Sequence, residues 1–434
     1  MPHWLTRGIV YECFPRAFSP AGDLVGVEAG LEGIADLGVT TLWLMPIHPI
    51  GQAARKGTLG SPYAVRDYRV VAPELGGERD LTRLVDAAHA LGMRVILDWV
   101  ANHCARDSVL MPWEEWFHRD EAGEVLPGAP DWTDTAWLDH GVPALRRNLI
   151  DAMAHWVGGC GVDGFRCDVA GRVPVASWLE AREALEPLRP DLGMLAEAFR
   201  PDLMERAFEL TYDMPWYWEV DRVLRRWAAL EAIRRAHRKF RARFPARAQP
   251  MRFSDNHDRE RAVTRYGEGW VAAAVHCLTS EGVPLVYNGQ EIGDNGPTAG
   301  EALFERHPIG WGRERPGARA LFRELIHLRR ATPALELGST HFLPSAPRGI
   351  LPFLRILGDR AVFVAVNLSG SPAELVLEHP ALGAGHSLLF ERGLDPSGLF
   401  RAGCWTLRLA PWGALVAEAQ PWTEDANDAR EAPR

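Results

Sequence analysis

The sequence predicts an α/β fold: a closed (β/α)8 TIM barrel with a short inserted loop domain after strand 3 and a C-terminal all-β sandwich domain. Three observations predict it. Eight short apolar, β-branched runs alternate with amphipathic helical stretches, one connection between them is much longer than the others, and after Leu337 the texture changes to closely spaced strand-like runs. The eight runs are Ile9–Phe14, Thr40–Met45, Val95–Val100, Val162–Cys167, Gly193–Glu197, Glu209–Tyr212, Met251–Asp255 and Pro284–Gly289. Alternating strands and helices imply a parallel sheet, and eight units without a reversal favour closing it over leaving it open. A chain of 434 residues is too long for one ordinary core and suits a barrel with one appended domain.

Between the runs the periodicity turns helical. Leu81, Leu84, Val85 and Ala88 repeat at three-and-four spacing, as do Leu149, Met153 and Trp156. Pro201-Asp202-Leu203 and Pro316 resemble helix starts, and Gly92 a helix stop. The long connection runs from Cys104 to Gly141 and is rich in Trp, Asp, Pro and Gly. Loops of that length are usually functional, and this one leaves the C-terminal mouth of a strand, where barrel active sites sit. The later runs are Ile350–Leu357, Ala361–Asn367, Ala373–Glu378, Ser387–Glu391, Cys404–Leu409 and Ala414–Ala419. The expected division is a barrel over 1–337 with its insertion at 104–141, a β domain over 338–420, and a polar, disordered tail over 421–434.

Composition excludes some partners. Apolar residues make up 47% and charged ones 24%, the balance of a soluble globular protein. A formal net charge of −9 leaves no basic excess to displace counterions from phosphates, which argues against nucleic acid. No stretch approaches the ~20 apolar residues of a membrane span. The six cysteines, Cys13, Cys104, Cys160, Cys167, Cys277 and Cys404, form no C-x-x-C pair and suit free thiols in a reducing compartment. With no signal-peptide-like run at the start, a cytoplasmic location is expected. Nothing in the sequence specifies an oligomeric state.

Four strand ends carry polar clusters: Asp98-Trp-Val-Ala-Asn102-His103, Gly164-Phe-Arg166-Cys-Asp168, Leu195-Ala-Glu197 and Phe253-Ser-Asp255-Asn256-His257-Asp258. Any one of these acids is explained as well by capping the next helix. Four such clusters ending strands of one barrel converge at its mouth. Arg166 and Asp168 are two apart on a strand and share a face, and the guanidinium favours an ionised Asp168, the state of a nucleophile. Glu197 lies near the other acids, which raises its pKa and suits it to protonate a leaving oxygen. Two carboxyls about 5–5.5 Å apart give retention through a covalent glycosyl-enzyme. Asp258 then holds substrate hydroxyls, and His103 and His257 donate to them.

Together the clusters, in this order, resemble the four short sequence regions of the α-amylase family, glycoside hydrolase family 13. The resemblance implies Asp168 as the nucleophile, Glu197 as the general acid/base and Asp258 as the transition-state stabiliser. Gly60-Ser-Pro-Tyr63-Ala-Val-Arg-Asp67-Tyr68 is similar to a family segment whose Tyr stacks on the sugar, so Tyr63 inherits that role. With Tyr63, the residues Asp98, His103, Arg166 and His257 form the expected substrate-binding set. Gly289-Gln-Glu291-Ile resembles the family's eighth strand, and the likeness spans about residues 8 to 419. It implies an oligosaccharide or sugar substrate and a retaining hydrolase acting on α-1,4-linked glucan or malto-oligosaccharides. The alternatives are a transglycosylase using the same carboxylates and a non-catalytic carbohydrate-binding relative.

Two departures from the family pattern stand out. Many relatives bind calcium with the Asn of the first region as a ligand. Asn102 is present, but 104–141 offers no convincing acidic partners, so no cofactor is required, and calcium with Asn102 as a ligand is left open as the less favoured alternative. The second-strand loop, Pro46-Ile-His48-Pro49-Ile-Gly51 followed by Arg55-Lys56-Gly57, resembles segments of some maltosyl-transferring relatives, and its basic pair is either solvated or meets an anionic group on the substrate. The aromatics Trp113, Trp116, Trp132, Trp216 and Trp218 are candidates for an acceptor site.

Overall fold

Parallel strands covered on both faces need apolar side chains at nearly every position, and the eight runs supply them. In a computed structural model, which describes residues 3–346, 348–383 and 387–420, they form β1 (Val10–Cys13), β2 (Thr41–Leu44), β3 (Arg94–Trp99), β6 (Gly164–Cys167), β7 (Gly193–Ala196), β8 (Leu210–Tyr212), β9 (Gln249–Arg252) and β10 (Val283–Tyr287). These pair in parallel in chain order, and β10 returns to β1 to close the barrel. The helices present apolar stripes to it: Leu81, Leu84, Val85 and Ala88 are buried on Glu78–Ala90, and Leu149, Met153 and Trp156 on Pro143–Cys160. The latter starts on a proline and ends at left-handed Gly161 (φ 72°), as those residue types favour. Pro201 opens only a single 3-10 turn, Pro201–Met204.

β3 ends at Trp99, before Asn102-His103. The chain then forms a separate short ribbon, β4 (His103–Ala105) paired antiparallel with β5 (Thr135–Trp137). That ribbon is the root of the long insertion and fixes His103 over the barrel mouth.

The C-terminal strands are β11 (Ser339–Phe342), β12 (Ile350–Leu357), β13 (Arg360–Asn367), β14 (Ala373–Glu378), β15 (Leu388–Leu394), β16 (Leu399–Arg401) and β17 (Cys404–Ala419), all antiparallel. Two expected runs, Cys404–Leu409 and Ala414–Ala419, are one strand of 16 residues. Pro411-Trp412-Gly413 looks like a turn but only switches partners: the first half of β17 pairs with β14 and β16, the second half with β13 and, mainly, β15. On β13, Val362, Val364 and Val366 join the main core while Phe363 and Ala365 join a second core within the β domain. The strand is thus buried on both faces and reads as a continuous apolar run. The tail 421–434 lies outside the described residues. Among those residues no helix is long and apolar enough to cross a membrane.

Candidate active site

The site is built where strands end. Asp98 is the penultimate residue of β3, in register with Arg166 on β6. Asp168 and Glu197 each follow a strand directly, and their backbone N–H groups continue the ladder to Trp99 O (2.9 Å) and Cys167 O (3.0 Å). β6 and β7 approach so closely that a Cβ on Gly164 would lie 1.9 Å from the Gly193 carbonyl oxygen. Glycine at 164 is therefore what lets these two acid-bearing strands meet, whereas a Cβ on Gly193 would run into the Trp4 ring (2.4 Å).

Arg166 organises the acids. It is fully buried, and its Nη1 donates to Asp98 Oδ1 and Asp168 Oδ1, both at 2.9 Å, while its Nη2 lies 2.8 Å from Glu197 Oε2. Asp168 and Glu197 thus sit on the two ends of one guanidinium fork. The Val169 N–H also donates to Glu197 Oε2 (2.9 Å). Three aromatic rings enclose the guanidinium: Trp43 at 5.0 Å, Tyr212 at 5.6 Å and Tyr63 at 5.7 Å from its Cζ.

Tyr63 hydroxyl reaches both Asp98 Oδ2 (3.2 Å) and His257 Nε2 (2.8 Å), and its ring stacks on His257. Asp258, the most exposed of the acids, has Oδ2 3.3 Å from His257 Nε2. Asp168, Glu197, Asp258, Tyr63, His103 and His257 all line one cavity of about 220 Å³. The expected residues therefore come together, Asp98 and Arg166 forming the buried floor beneath them.

The electrostatics add a second influence to the expected ion pair. An ion pair with Arg166 alone predicts an ionised Asp168, but burial pushes its carboxyl well above the usual range and Arg166 offsets this only in part. Burial likewise lifts Asp98 to about 6 against the pull of Arg166. The reason is arithmetic: one guanidinium is shared among three carboxyls, so the cluster favours holding a proton. Burial, helped by Arg172, lowers His103 to about 3, which makes it a neutral imidazole. Burial also works against charge on His257, but Asp258 and Glu12 outweigh it and raise this ring to about 9.

Glu12 was not among the expected residues. It sits inside the apolar run of β1, fully buried, and its Oε1 is hydrogen-bonded to His257 Nδ1. A lone carboxylate in an otherwise apolar strand is the signal that identifies it. Trp43 and Tyr212 were missed for the opposite reason, because they look like ordinary core aromatics. Around His257 stand Glu12 from β1, Asp258 beside it, the Tyr63 hydroxyl, the Trp43 ring and Arg166. Replacing Glu12 by Gln keeps a hydrogen-bond acceptor but removes one of the two charges that raise His257. Its NMR titration midpoint should fall by about one unit or more. Because that pKa is raised on folding, the stability it contributes is full below about 6.5 and is lost as pH rises toward 9. E12Q should therefore narrow the difference in stability between pH 6.5 and 9, as read by thermal melts.

Other expected residues separate by burial. Trp132 lines the cavity and packs 5.0 Å from His103. Trp216 is core, stacked on His276 and beneath Arg252, and Trp116 is buried, so neither can meet an acceptor. Trp113 and Trp218 are exposed. The Arg55 guanidinium turns back onto Gly51 and Ile50 carbonyls of its own loop, whereas Lys56 crosses to the insertion. The surroundings of Asn102 do not fit calcium. Its Oδ1 is a buried acceptor without a partner, but its Nδ2 lies 3.2 Å from His103 Nδ1, and among the described residues no cluster of three His, Cys, Asp or Glu could hold a metal. A hard cation takes about six to eight oxygens.

A barrel mouth that gathers carboxyls around one arginine in a sugar-sized cavity has the build of a glycoside hydrolase. The catalytic-domain profile of alpha-amylase matches residues 10–191. Across 95% of this chain and 98% of its own, the crystal structure of a noncanonic maltogenic alpha-amylase, AmyB from Thermotoga neapolitana, superposes with TM-score 0.85 at 30% identity. An alpha-amylase from Lactobacillus plantarum does so with TM-score 0.85 at 31% identity, over 96% of this chain and 99% of that one. A cyclomaltodextrinase of Geobacillus thermopakistaniensis is 27% identical over 97% of this chain and 78% of its own length. The chain spans only 57% of the alpha-amylase MalA of Haloarcula japonica, to which it is 27% identical. The chain belongs to the α-amylase family.

Proposed function

We propose that this protein is a retaining hydrolase of α-1,4-linked glucan or malto-oligosaccharides. The observation that carries the reading is the Arg166 fork, which brings Asp168 and Glu197 together in the cavity that Asp258 also lines. Asp98, Asp168 and Glu197 share one positive partner, so the cluster retains a proton. Glu197, the more accessible of the pair, serves as the acid, while Arg166 holds Asp168 as the carboxylate. Asp168 attacks the anomeric carbon as Glu197 protonates the leaving oxygen, giving a glycosyl ester on Asp168. Glu197, now ionised, deprotonates a water that attacks the same carbon and frees the sugar with its α configuration. Asp258 and the imidazolium of His257 hold ring hydroxyls, and neutral His103 donates without competing as a nucleophile. The free cysteines, five of them buried, support a reducing, cytoplasmic setting.

The test is to follow maltotriose cleavage by NMR from the first minutes. The α anomer should appear first and mutarotate later; a β anomer first would overturn the double displacement. Glucan transfer uses the same residues and would appear in that experiment as products longer than maltotriose.

A further inference from the structure

The loop after β2 lies across one side of the cavity and is tied to both neighbouring walls. Lys56 Nζ donates to the Asp131 carbonyl (2.6 Å) and lies 3.5 Å from Asp134 Oδ1, both in the insertion. The same ammonium sits 5.7 Å from the Phe304 ring centroid, in the loop after β10. Behind Lys56 the two loops are sewn together: Leu59 N–H donates to Phe304 O (2.9 Å) and Thr58 N–H to Glu305 Oε1 (2.6 Å), while Arg16 Nη1 donates to both Gly60 O and Leu303 O. Gly57, at φ 59°, presses so tightly on this wall that a Cβ would lie 2.6 Å from Phe304 Cβ.

Topology says which end of a substrate meets this wall. Around the closed barrel β7, which presents Glu197, stands opposite β1, and the loops after β2 and β10 flank β1. The general acid must face the leaving oxygen on C1 of the sugar being cleaved. In a pyranose, C4 lies across the ring from C1, so the 4-oxygen points away from Glu197 and toward the Lys56–Phe304 wall. A chain continuing beyond that sugar would have to pass through it. The cavity of about 220 Å³ is below the roughly 300–1,000 Å³ of pockets for drug-sized ligands.

We infer that Lys56 closes the non-reducing side of the site, so that the protein removes single glucosyl units from chain ends and rejects substrates that have no end. The inference rests on the hydrolase reading above and adds its mode of attack. Two of the three ammonium donors face Asp131 and Asp134, which leaves one for a terminal 4-hydroxyl, a group that only a chain end has. Specificity arises here from obstruction as much as from attraction.

The test uses the full chain with maltoheptaose labelled at its reducing end, and with β-cyclodextrin. The wild type should release glucose as its first small product, should shorten the labelled fragment one unit at a time, and should open the ring at least about 100-fold more slowly than it cuts the linear chain. Early internal fragments, maltose as the first product, or ring opening at a comparable rate would each overturn the inference while leaving the hydrolase reading intact. No turnover of any α-glucan would overturn that reading and the inference with it. Lys56→Ala should raise the ratio of internal to terminal cleavage by about tenfold, and Lys56→Arg should restore the wild-type ratio. Lys56→Met, which keeps the packing on Phe304, reports the same ratio if the Ala variant does not fold. A merely structural lysine would lower all rates together, so an unchanged ratio would remove Lys56 from the role.

Discussion

Asp168→Ala lowers turnover of malto-oligosaccharides by about 10⁴-fold or more, the scale on which removing one member of a covalent catalytic set acts. The fold survives it. Three carboxyls crowd around Arg166, burial opposes the charge on Asp168, and after the substitution Asp98 and Glu197 still pair with the guanidinium. Removing one of several like charges relieves strain more than it breaks a pair, so the melting temperature should stay unchanged or rise. Functional sites commonly trade stability for activity in this way. Thermal melts and maltotriose kinetics on the same preparation check both halves. A large fall in melting temperature, or near-wild-type turnover, would contradict the account.

Glu197→Gln should lower turnover of natural glucans by about 10²–10⁴-fold, the usual contribution of a general acid or base. Its signature is dependence on the leaving group. Glucosyl fluoride needs no proton to depart, so its glycosylation step should be nearly spared, whereas maltotriose should suffer the full loss. Gln retains an acceptor for the Val169 N–H, so a loss of equal size on both substrates would point to a disturbed site instead of a missing proton. Pre-steady-state kinetics with the two substrates separates these outcomes.

The barrel was legible because its physics is repetitive. Strands buried on both faces must be apolar throughout, so each appears as a run, and the polar cluster ending a run marks the C-terminal mouth. Asp98, Arg166, Asp168, Glu197, His257 and Asp258 were visible for that reason. Glu12 was hidden inside a run that otherwise fits the apolar rule, and only its contact with His257 shows why a carboxylate is tolerated there. The opposition of burial to charge on Asp168 is not legible in the sequence, because spacing shows that Arg166 is near, not that Asp98 and Glu197 share it. Lys56 lies in an irregular loop without periodicity, so its bridge to Asp131 was beyond any local pattern. β17 was read as two strands because a Pro-x-Gly break within one strand looks the same as a turn until the partner strands are known.

The nucleophile itself can be caught. A 5-fluoroglucosyl fluoride should form its ester with the enzyme faster than water can release it, and peptide mass spectrometry of the trapped protein should place one fluoroglucosyl group on the Cys167–Asp168–Val169 segment, at Asp168. A label on another residue, or inactivation with no sugar attached, would contradict double displacement at this carboxylate and the function built on it.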